Sequence, residues 1–357
     1  MPGQFRVTRL GVTRMRAAIL AEQRKPLVVD EVELPASLEV GQVLVRMVVS
    51  GICGSQVGEI DGVKGPDRYL PHLLGHEGVG TVMASGPGVK RVRAGESVVL
   101  HWRKAPGIDA DPPAYRWRGA RLNAGWVTTF GEYAVVSENR LTVVPSDVDP
   151  ETTSLFGCPV TTAFGMVTRN ARLTIGESLV VIGCGGIGLP VIQAAVLAGG
   201  YPIVAVDISS PKLDLARRLG ATHVVDTRAH ELIAGVREIV GAGGADVVIE
   251  NTGRADLIRS AYELAASDGR TILGGVPVHG QDASIDTLPL HFGKVLMGSH
   301  GGDAQPARDI PRYLSLVRAG RLDLEPLVTE RTDLGAINEA IGRLRRGEVI
   351  GRCVIRF

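Results

Sequence analysis

Residues 178–200 read SLVVIGCGGIGLPVIQAAVLAGG, a short apolar strand that leads through a glycine-rich turn into a helix. Gly183, Gly185 and Gly188 have the spacing G-x-G-x-x-G, with Gly186 and Ile187 in the same turn. The first glycine permits a tight turn, the second lets the backbone approach a pyrophosphate, and the third allows the helix to pack closely on the strand. The helix N-terminus then attracts the anion. This stretch predicts a strand–turn–helix unit that binds a dinucleotide.

The next strand, IVAVD, ends in an acidic residue, Asp207, which lies 24 residues after Gly183. A carboxylate at this distance suits a hydrogen bond to the ribose 2′-hydroxyl and repels a 2′-phosphate, so the sequence predicts NAD rather than NADP. Lys212 follows in the next helix and either helps to bind the ribose or is an ordinary solvated lysine.

The two parts of the chain have different rhythms. From about residue 15 to 145, short β-branched runs are separated by glycine, proline and charged turns, which indicates a β-rich domain. After Pro159, apolar strands alternate with helices up to GRTILGG, which indicates parallel βαβ units in a doubly wound sheet. From about Pro306, two more helices and a terminal strand, GRCVIRF, complete the chain. With 357 residues, two domains are expected.

Composition excludes several classes of function. The net charge of +1 argues against a nucleic-acid or membrane-surface role, both of which usually require a basic face. No unbroken apolar run reaches the length of a membrane span, and the N-terminus lacks the apolar region of a signal peptide. The four cysteines are far apart, which is not the pattern of a disulfide framework. We therefore expect a cytoplasmic protein with reduced thiols. Residues 1–14 are expected to be a loose N-terminal extension, because the ordered pattern begins near Met15.

Three short motifs precede the glycine turn. GICGS contains Cys53, GHEGVG contains His76 and Glu77, and GCPVTTAFG contains Cys158. Taken singly, each cysteine is more often a buried packing residue than a ligand. Together, two thiolates and an imidazole form the Cys₂His set of a catalytic zinc site that keeps a fourth position open.

In their order and spacing, these motifs, together with TTFGEYAVV, VIGCGGIGL, VAVDIS, ENTGR and GRCVIRF, resemble the zinc-dependent alcohol dehydrogenases of the medium-chain dehydrogenase/reductase superfamily. The resemblance extends from Met15 to Phe357. It implies an α/β protein with a GroES-like β-rich catalytic domain, residues 15–159 and 300–357. A Rossmann NAD-binding domain with a doubly wound parallel sheet, residues 160–299, would be inserted between these segments.

The resemblance also implies roles for individual residues. The zinc ligands would be Cys53, His76 and Cys158, with one catalytic zinc ion per subunit and Glu77 behind the metal. Ser55 would take the substrate proton. Asp207 and Lys212 would hold the adenosine ribose, and Arg254 would lie near the adenosine. Arg352 would reach the cofactor pyrophosphate, unless it is an ordinary charge at a strand end. The family further suggests a homodimer or homotetramer.

The sequence departs from the family at a stretch that in many members carries four clustered cysteines and a structural zinc. Here this stretch, residues 101–126, contains no cysteine, so we expect no structural zinc. It instead interleaves basic and aromatic residues: Trp102, Arg103, Lys104, Tyr115, Arg116, Trp117, Arg118, Arg121 and Trp126. Its arginines either hold an anionic or hydroxyl-rich substrate, or cover the aromatic rings of the segment or a subunit interface.

Two further departures surround Cys53. Gln56 stands where relatives often have an aspartate that orients the zinc-bound histidine. Its carbonyl oxygen could still accept from the histidine, but it adds no negative charge, so a bound metal should be more electropositive. Gly58 replaces a histidine that ends the usual proton route, and the terminal proton acceptor is left open.

The expected function is NAD-dependent interconversion of an alcohol with an aldehyde or ketone by zinc-alkoxide hydride transfer on a small-molecule substrate. One alternative is a biosynthetic dehydrogenase or reductase acting on a polyol, sugar, cyclitol or anionic substrate. A second, from another class, is a catalytically silent NAD-binding structural or regulatory protein. No nucleic-acid or membrane partner is expected.

Overall fold

The computed structural model describes residues 8–9 and 11–357, so most of the predicted extension 1–14 lies outside the described residues. Within it, Thr8–Arg9 pair with Ser37–Leu38 as antiparallel strands. The chain forms two compact units, one made of the chain up to Cys158 together with Gln305–Phe357, the other of Pro159–Ala304. The assignment of functional domains to residues 15–159 with 300–357 and to residues 160–299 stays a prediction.

The N-terminal part of the first unit consists mainly of strands. In chain order these are β1 (Thr8–Arg9), β2 (Arg14–Leu20), β3 (Val28–Glu33), β4 (Ser37–Leu38), β5 (Gln42–Ile52), β6 (His72–Leu73), β7 (Glu77–Ser85), β8 (Ser97–His101), β9 (Tyr115–Trp117), β10 (Ala120–Leu122), β11 (Tyr133–Ser137) and β12 (Leu141–Val144). Two short helices, α1 (Gly54–Ile60) and α2 (Pro150–Ser154), join them.

The second unit alternates helices with strands, as predicted. Its helices are α3 (Pro159–Gly165), extended by a π-helical turn at Met166–Asn170, α4 (Gly188–Ala198), α5 (Ser210–Arg218), α6 (Leu232–Val240) and α7 (Ala255–Leu264). Its strands are β13 (Leu179–Ile182), β14 (Ile203–Asp207), β15 (His223–Asp226), β16 (Ala245–Glu250), β17 (Ala265–Leu273) and β18 (Val295–Gly298). The strand β18 was not predicted. It is a short edge strand whose four residues are all exposed or half-buried.

The strands of the second unit form a parallel sheet in the order β15-β14-β13-β16-β17-β18. The order reverses between β13 and β16, which confirms the predicted doubly wound sheet. Apolar side chains such as Val180, Val204 and Val248 are buried against the helices that cover it. In such sheets, ligands bind at the carboxyl ends of the strands where the order reverses.

The C-terminal part of the chain returns to the first unit. It comprises α8 (Pro306–Arg318), β19 (Val328–Asp333), α9 (Ile337–Arg345) and β20 (Arg352–Arg356). The two helices and the last strand were predicted, and β19 was not. In the larger sheet of this unit the order is β12-β8-β7-β5-β20-β19, and β11 also pairs with β5. Because β20 runs antiparallel to β5 with Cys353 opposite Ile52, the last strand lies beside the segment that leads into Cys53.

A second sheet of this unit has the order β10-β9-β3-β2-β6. Apolar residues from both chain ends share a core, including Ile52, Ile60, Ile337 and Ile355. Among the described residues, no helix combines the length and the apolar character needed to cross a bilayer.

Candidate functional site

Three segments of the first unit bring the predicted metal ligands together. Cys53 follows β5 and is the N-cap residue of α1, His76 lies in the turn between β6 and β7, and Cys158 follows a 3₁₀ turn after α2. The ligand atoms of these three residues all lie within 4.8 Å of one another. Residues separated by up to about a hundred positions thus converge on one buried point.

The three side chains shift one another's pKa values because they are buried and close together. The hydrogen bond with Cys158 lowers the pKa of Cys53 well below its ordinary value, and the same bond raises the pKa of Cys158. Burial tends to lower the pKa of His76, but the proximity of the Cys53 sulfur outweighs it, so the pKa is raised. Nε2 of His76 is buried and, in the described part of the chain, has no hydrogen-bond partner. Two thiolates and an orphaned imidazole nitrogen fit Zn²⁺.

Gln56 contacts the group differently from the expectation. Its Oε1 accepts from the Cys53 backbone N–H at 3.2 Å, and its Nε2 faces Nδ1 of His76. The carbonyl oxygen was expected to accept from the histidine. In this structure the oxygen instead caps α1.

Behind the three ligands lies a buried ion pair that joins β7 to β20. An Nη2–H of Arg352 donates to Oε1 of Glu77, and both side chains are almost entirely inaccessible to solvent. Burial raises the pKa of Glu77 to about 7 despite the opposing charge of Arg352. The glutamate fits only because two glycines adjoin it: a Cβ on Gly51 would lie 2.6 Å from its Oε1, and one on Gly157 would lie 2.7 Å from its Cβ. These two glycines begin the motifs GICGS and GCPVTTAFG, but their role beside Glu77 was not identified from the sequence.

The structure thus places Arg352 in contact with Glu77, and its predicted contact with a pyrophosphate stays a prediction. Ser55 lies in the first turn of α1, and its Oγ is buried with no hydrogen-bond partner among the described residues. A hydroxyl left in this condition is available to a ligand. Gly58 is in the same helix.

His72 does not belong to this group. One ring nitrogen lies 2.8 Å from Oδ2 of Asp67 and the other 2.9 Å from the carbonyl oxygen of Leu73. With Glu59, these residues form a separate cluster of side chains that could hold a cation. The direct pairing of His72 with Asp67 accounts for its burial.

In the second unit, the three motif glycines meet three different requirements. Gly183 has φ +89°, in the left-handed region that favours glycine. A Cβ on Gly188 would lie 2.0 Å from the carbonyl oxygen of Gly183, so the helix can approach the strand only without a side chain. A Cβ on Gly185 would meet no atom within 4 Å, which leaves open space in front of the turn. Ile187 is the N-cap residue of α4, and Gly186 precedes it.

Asp207 ends β14 beside this turn. Its Oδ2 accepts from the N–H of Cys184 at 2.8 Å, and its Oδ1 accepts from the N–H of Ser209 at 2.9 Å. These backbone bonds fix the carboxylate at the carboxyl end of the strand while each oxygen keeps a lone pair for a further donor. Lys212 is in the first turn of α5, close enough for its charge to affect the Cys184 thiol.

Arg254 is the N-cap residue of α7 and is exposed. Its guanidinium forms a two-point ion pair with Asp256, at 3.1 Å and 2.8 Å. The charge of Arg254 is therefore paired with an acidic residue two positions along the chain. A contact of Arg254 with adenosine stays a prediction.

Several contacts of the basic and aromatic segment 101–126 lie within the segment itself. Arg118 lies over the ring of Trp117 at 4.5 Å and Lys104 over that of Trp126 at 5.8 Å, both rings of the same segment. Arg118 also contacts Asp30 at 3.0 Å. These contacts favour the interpretation in which the cations cover the aromatic rings.

Models of known protein families match both parts of the chain. A model of the family described as "Zinc-binding dehydrogenase" matches residues 186–319, and one described as "Alcohol dehydrogenase GroES-like domain" matches residues 39–146. The GroES-like part of the predicted fold is thereby confirmed.

Individual relatives match nearly the whole chain. An S-(hydroxymethyl)glutathione dehydrogenase of Escherichia coli O139:H28 is 31% identical over 378 aligned residues, which cover 96% of this chain and 100% of that protein. Among solved structures, an alcohol dehydrogenase zinc-binding domain protein from Burkholderia ambifaria has a TM-score of 0.88 at 29% identity, covering 96% of this chain and 99% of that one. Benzyl alcohol dehydrogenase from Acinetobacter calcoaceticus has a TM-score of 0.87 at 26% identity, covering 97% and 100%.

Proposed function

Because the chain belongs to the zinc-dependent alcohol dehydrogenases of the medium-chain dehydrogenase/reductase superfamily, we propose that it interconverts an alcohol and an aldehyde or ketone with NAD(H). The observation that carries the proposal is the buried group of Cys53, His76 and Cys158, whose ligand atoms lie within 4.8 Å of one another. A silent binding protein would have no use for this donor set or for the buried hydroxyl of Ser55 nearby.

When bound, Zn²⁺ would supply Lewis-acid polarisation of the substrate oxygen, and the nicotinamide would supply the hydride acceptor or donor. Cys53, His76 and Cys158 would hold the metal, and Glu77 would lie behind it, kept in place by Arg352. Ser55 accepts the substrate proton at Oγ and passes on its own, since this hydroxyl is not engaged elsewhere. With Gly58 in place of a histidine, the proton then passes to water or to a cofactor hydroxyl.

Removal of one ligand tests the proposal. Cys158→Ser should lose the bound zinc and with it nearly all dehydrogenase activity, while the chain still binds NADH. Zinc content, NADH binding and NADH formation from alcohols would be measured on one sample. The control is Cys353→Ser, which changes a buried cysteine that is not a predicted ligand. If Cys158→Ser retained one zinc ion and wild-type activity, the ligand assignment would be wrong.

We further propose that the enzyme prefers NAD to NADP. Asp207 supports this because its carboxylate is fixed at the end of β14 and would repel a 2′-phosphate. Asp207→Ser should raise KM for NAD and lower KM for NADP, so that the ratio of the two kcat/KM values shifts towards NADP by at least about tenfold, the size of a single lost favourable contact. An unchanged ratio would contradict the role of Asp207.

Activity measured on a panel of candidate substrates would identify the substrate. The relatives named above act on S-(hydroxymethyl)glutathione and benzyl alcohol, so the panel includes both, together with polyols, sugars and cyclitols. Arg118, which contacts Asp30 and the Trp117 ring, gives no support to an anionic substrate, and a simple alcohol is the primary proposal.

A homodimer or homotetramer is also proposed. Support comes from the second unit, where the edge strand β18 and the residues before it expose apolar side chains, including Leu288, Phe292 and Val295.

We propose one zinc ion per chain, from the ligand set, and no four-thiolate structural zinc, from the sequence of segment 101–126. A metal content of one equivalent per chain is the result to expect. Location in the cytoplasm stays a prediction, which was made from the wide spacing of the cysteines.

A further inference from the structure

Asn251 presents an unusual pair of atoms. Both Nδ2 and Oδ1 of its side chain are buried, and neither has a hydrogen-bond partner in the described part of the chain. A buried amide without partners costs free energy, so proteins rarely keep one without a ligand or water to satisfy it. The neighbouring Glu250 shows the usual arrangement, since its buried carboxylate accepts from the N–H groups of Thr252 and Gly253.

The position of Asn251 points to what could satisfy the amide. The residue directly follows β16, and its backbone N–H donates to Ile182 at the end of β13. These are the two strands between which the strand order reverses. On one side, a Cβ on Gly183 would lie 3.7 Å from the Asn251 Cβ, and on the other, a Cβ on Gly274 would lie 2.7 Å from its Oδ1. Asn251 thus stands at the switch point, between the glycine turn and the end of β17.

The two halves of a dinucleotide are separated at such a point. Asp207 lies on β14, on the side of the sheet where the adenosine half would bind. Asn251 and Gly274 are on the opposite side of the glycine turn, which is left for the nicotinamide half. We propose that Asn251 is a cofactor-positioning residue that hydrogen-bonds the nicotinamide half of the dinucleotide.

This inference rests on the proposed function, because it requires a nicotinamide cofactor. The group recognised must both donate and accept, as the asparagine amide does. The nicotinamide half offers two such groups, the ring carboxamide and the hydroxyls of its ribose. Three ligands separate them: NADH has both groups, ADP-ribose has the ribose alone, and ADP has neither.

Binding constants of these three ligands for the intact protein test the proposal. Asn251→Ala should weaken NADH binding about tenfold, the equivalent of one hydrogen bond of about 1.4 kcal/mol. Binding of ADP should be unchanged. If only NADH weakens, the carboxamide is the partner, and if ADP-ribose weakens as well, the ribose hydroxyls are. Asn251→Leu, which keeps the volume but removes both polar atoms, should give the same pattern.

A matched control removes an asparagine that already has protein partners. In Asn170, Nδ2 donates to Asp303 and Oδ1 accepts from Ser299, both within the second unit. Asn170→Ala should lower the unfolding temperature without changing the ratio of NADH affinity to ADP affinity. The same outcome for Asn251→Ala, a structural loss with an unchanged ratio, would overturn the inference. Failure of the wild-type protein to bind NADH at all would instead overturn the proposed function.

Discussion

Two regions of the first unit are rich in polar and charged side chains. They differ in whether the polar atoms of those side chains have hydrogen-bond or ion-pair partners within the protein. Around Cys53, His76 and Cys158, the buried atoms Ser55 Oγ, His76 Nε2 and Glu77 Oε2 have no hydrogen-bond partner among the described residues. In segment 101–126, Lys104 contacts Asp109 at 2.5 Å and Arg116 donates to the Gly119 carbonyl at 2.6 Å.

Buried polar atoms without partners distinguish a ligand-binding site from a surface that is only rich in charged and aromatic side chains. A fold normally satisfies its buried polar atoms, so a cluster of unsatisfied ones marks a place where a metal or substrate completes the structure. In segment 101–126, by contrast, Lys104, Arg116 and Arg118 already contact other groups of the protein. Composition alone would have favoured that segment, because its arginines and tryptophans are the more conspicuous residues.

The largest expected effect comes from the buried ion pair behind the metal ligands. Arg352→Met leaves the Glu77 carboxylate buried without its counter-ion, which should lower the free energy of unfolding by about 3–5 kcal/mol. Urea unfolding of the variant and the wild-type protein measures the difference. The double variant with Glu77→Gln should recover much of the loss, because no unpaired charge then remains. A loss below about 1 kcal/mol in the single variant, the size of an exposed pair, would remove the contrast between the two regions.

Local motifs explain how much of this could be predicted. The strand–turn–helix unit at Gly183 and the acid at Asp207 follow from backbone geometry over a short stretch, and the structure has them at the ends of adjacent strands. The alternation of strands and helices likewise predicted the parallel sheet. Edge strands such as β18 were not predicted, because a short strand with few buried residues shows little apolar periodicity.

Contacts between distant segments could not be predicted in the same way. That Arg352 pairs with Glu77 depends on β20 lying against β5, a pairing across about 300 residues that no periodicity indicates. That Gln56 turns its carbonyl to Cys53 rather than to His76 depends on the capping of α1. The room that Gly51 and Gly157 leave for Glu77 becomes visible only once these segments meet.

A smaller effect is expected at His101, the buried first residue of segment 101–126. Burial lowers its pKa to about 4, and its ring nitrogens lie 2.7 Å from the Arg103 carbonyl and 2.9 Å from Thr142 Oγ1. As pH falls below the ordinary histidine value of about 6.5, the unfolded chain takes up a proton that the folded chain excludes until about pH 4, so stability should fall across this window by up to about 3 kcal/mol.

Urea unfolding at pH 7 and pH 4.5 measures this loss. The wild-type protein should lose more stability between the two pH values than His101→Gln, whose side chain does not titrate. Equal losses in both proteins would show that His101 is not the group responsible. Activity near neutral pH should not depend on a proton at His101, since the residue is neutral there.

The smallest effect is expected at Arg118, and it tests the other side of the comparison. Its guanidinium is largely exposed, contacts Asp30 at 3.0 Å and lies over the Trp117 ring. Because exposed ion pairs contribute little, Arg118→Ala should unfold at nearly the same urea concentration as the wild-type protein and should keep kcat and KM for every alcohol in the panel. Asp30→Asn, which removes the acceptor and leaves the arginine, is the matched control. A KM raised for anionic substrates alone in Arg118→Ala, with Asp30→Asn unaffected, would mean that segment 101–126 binds substrate and that its satisfied contacts are not its only role.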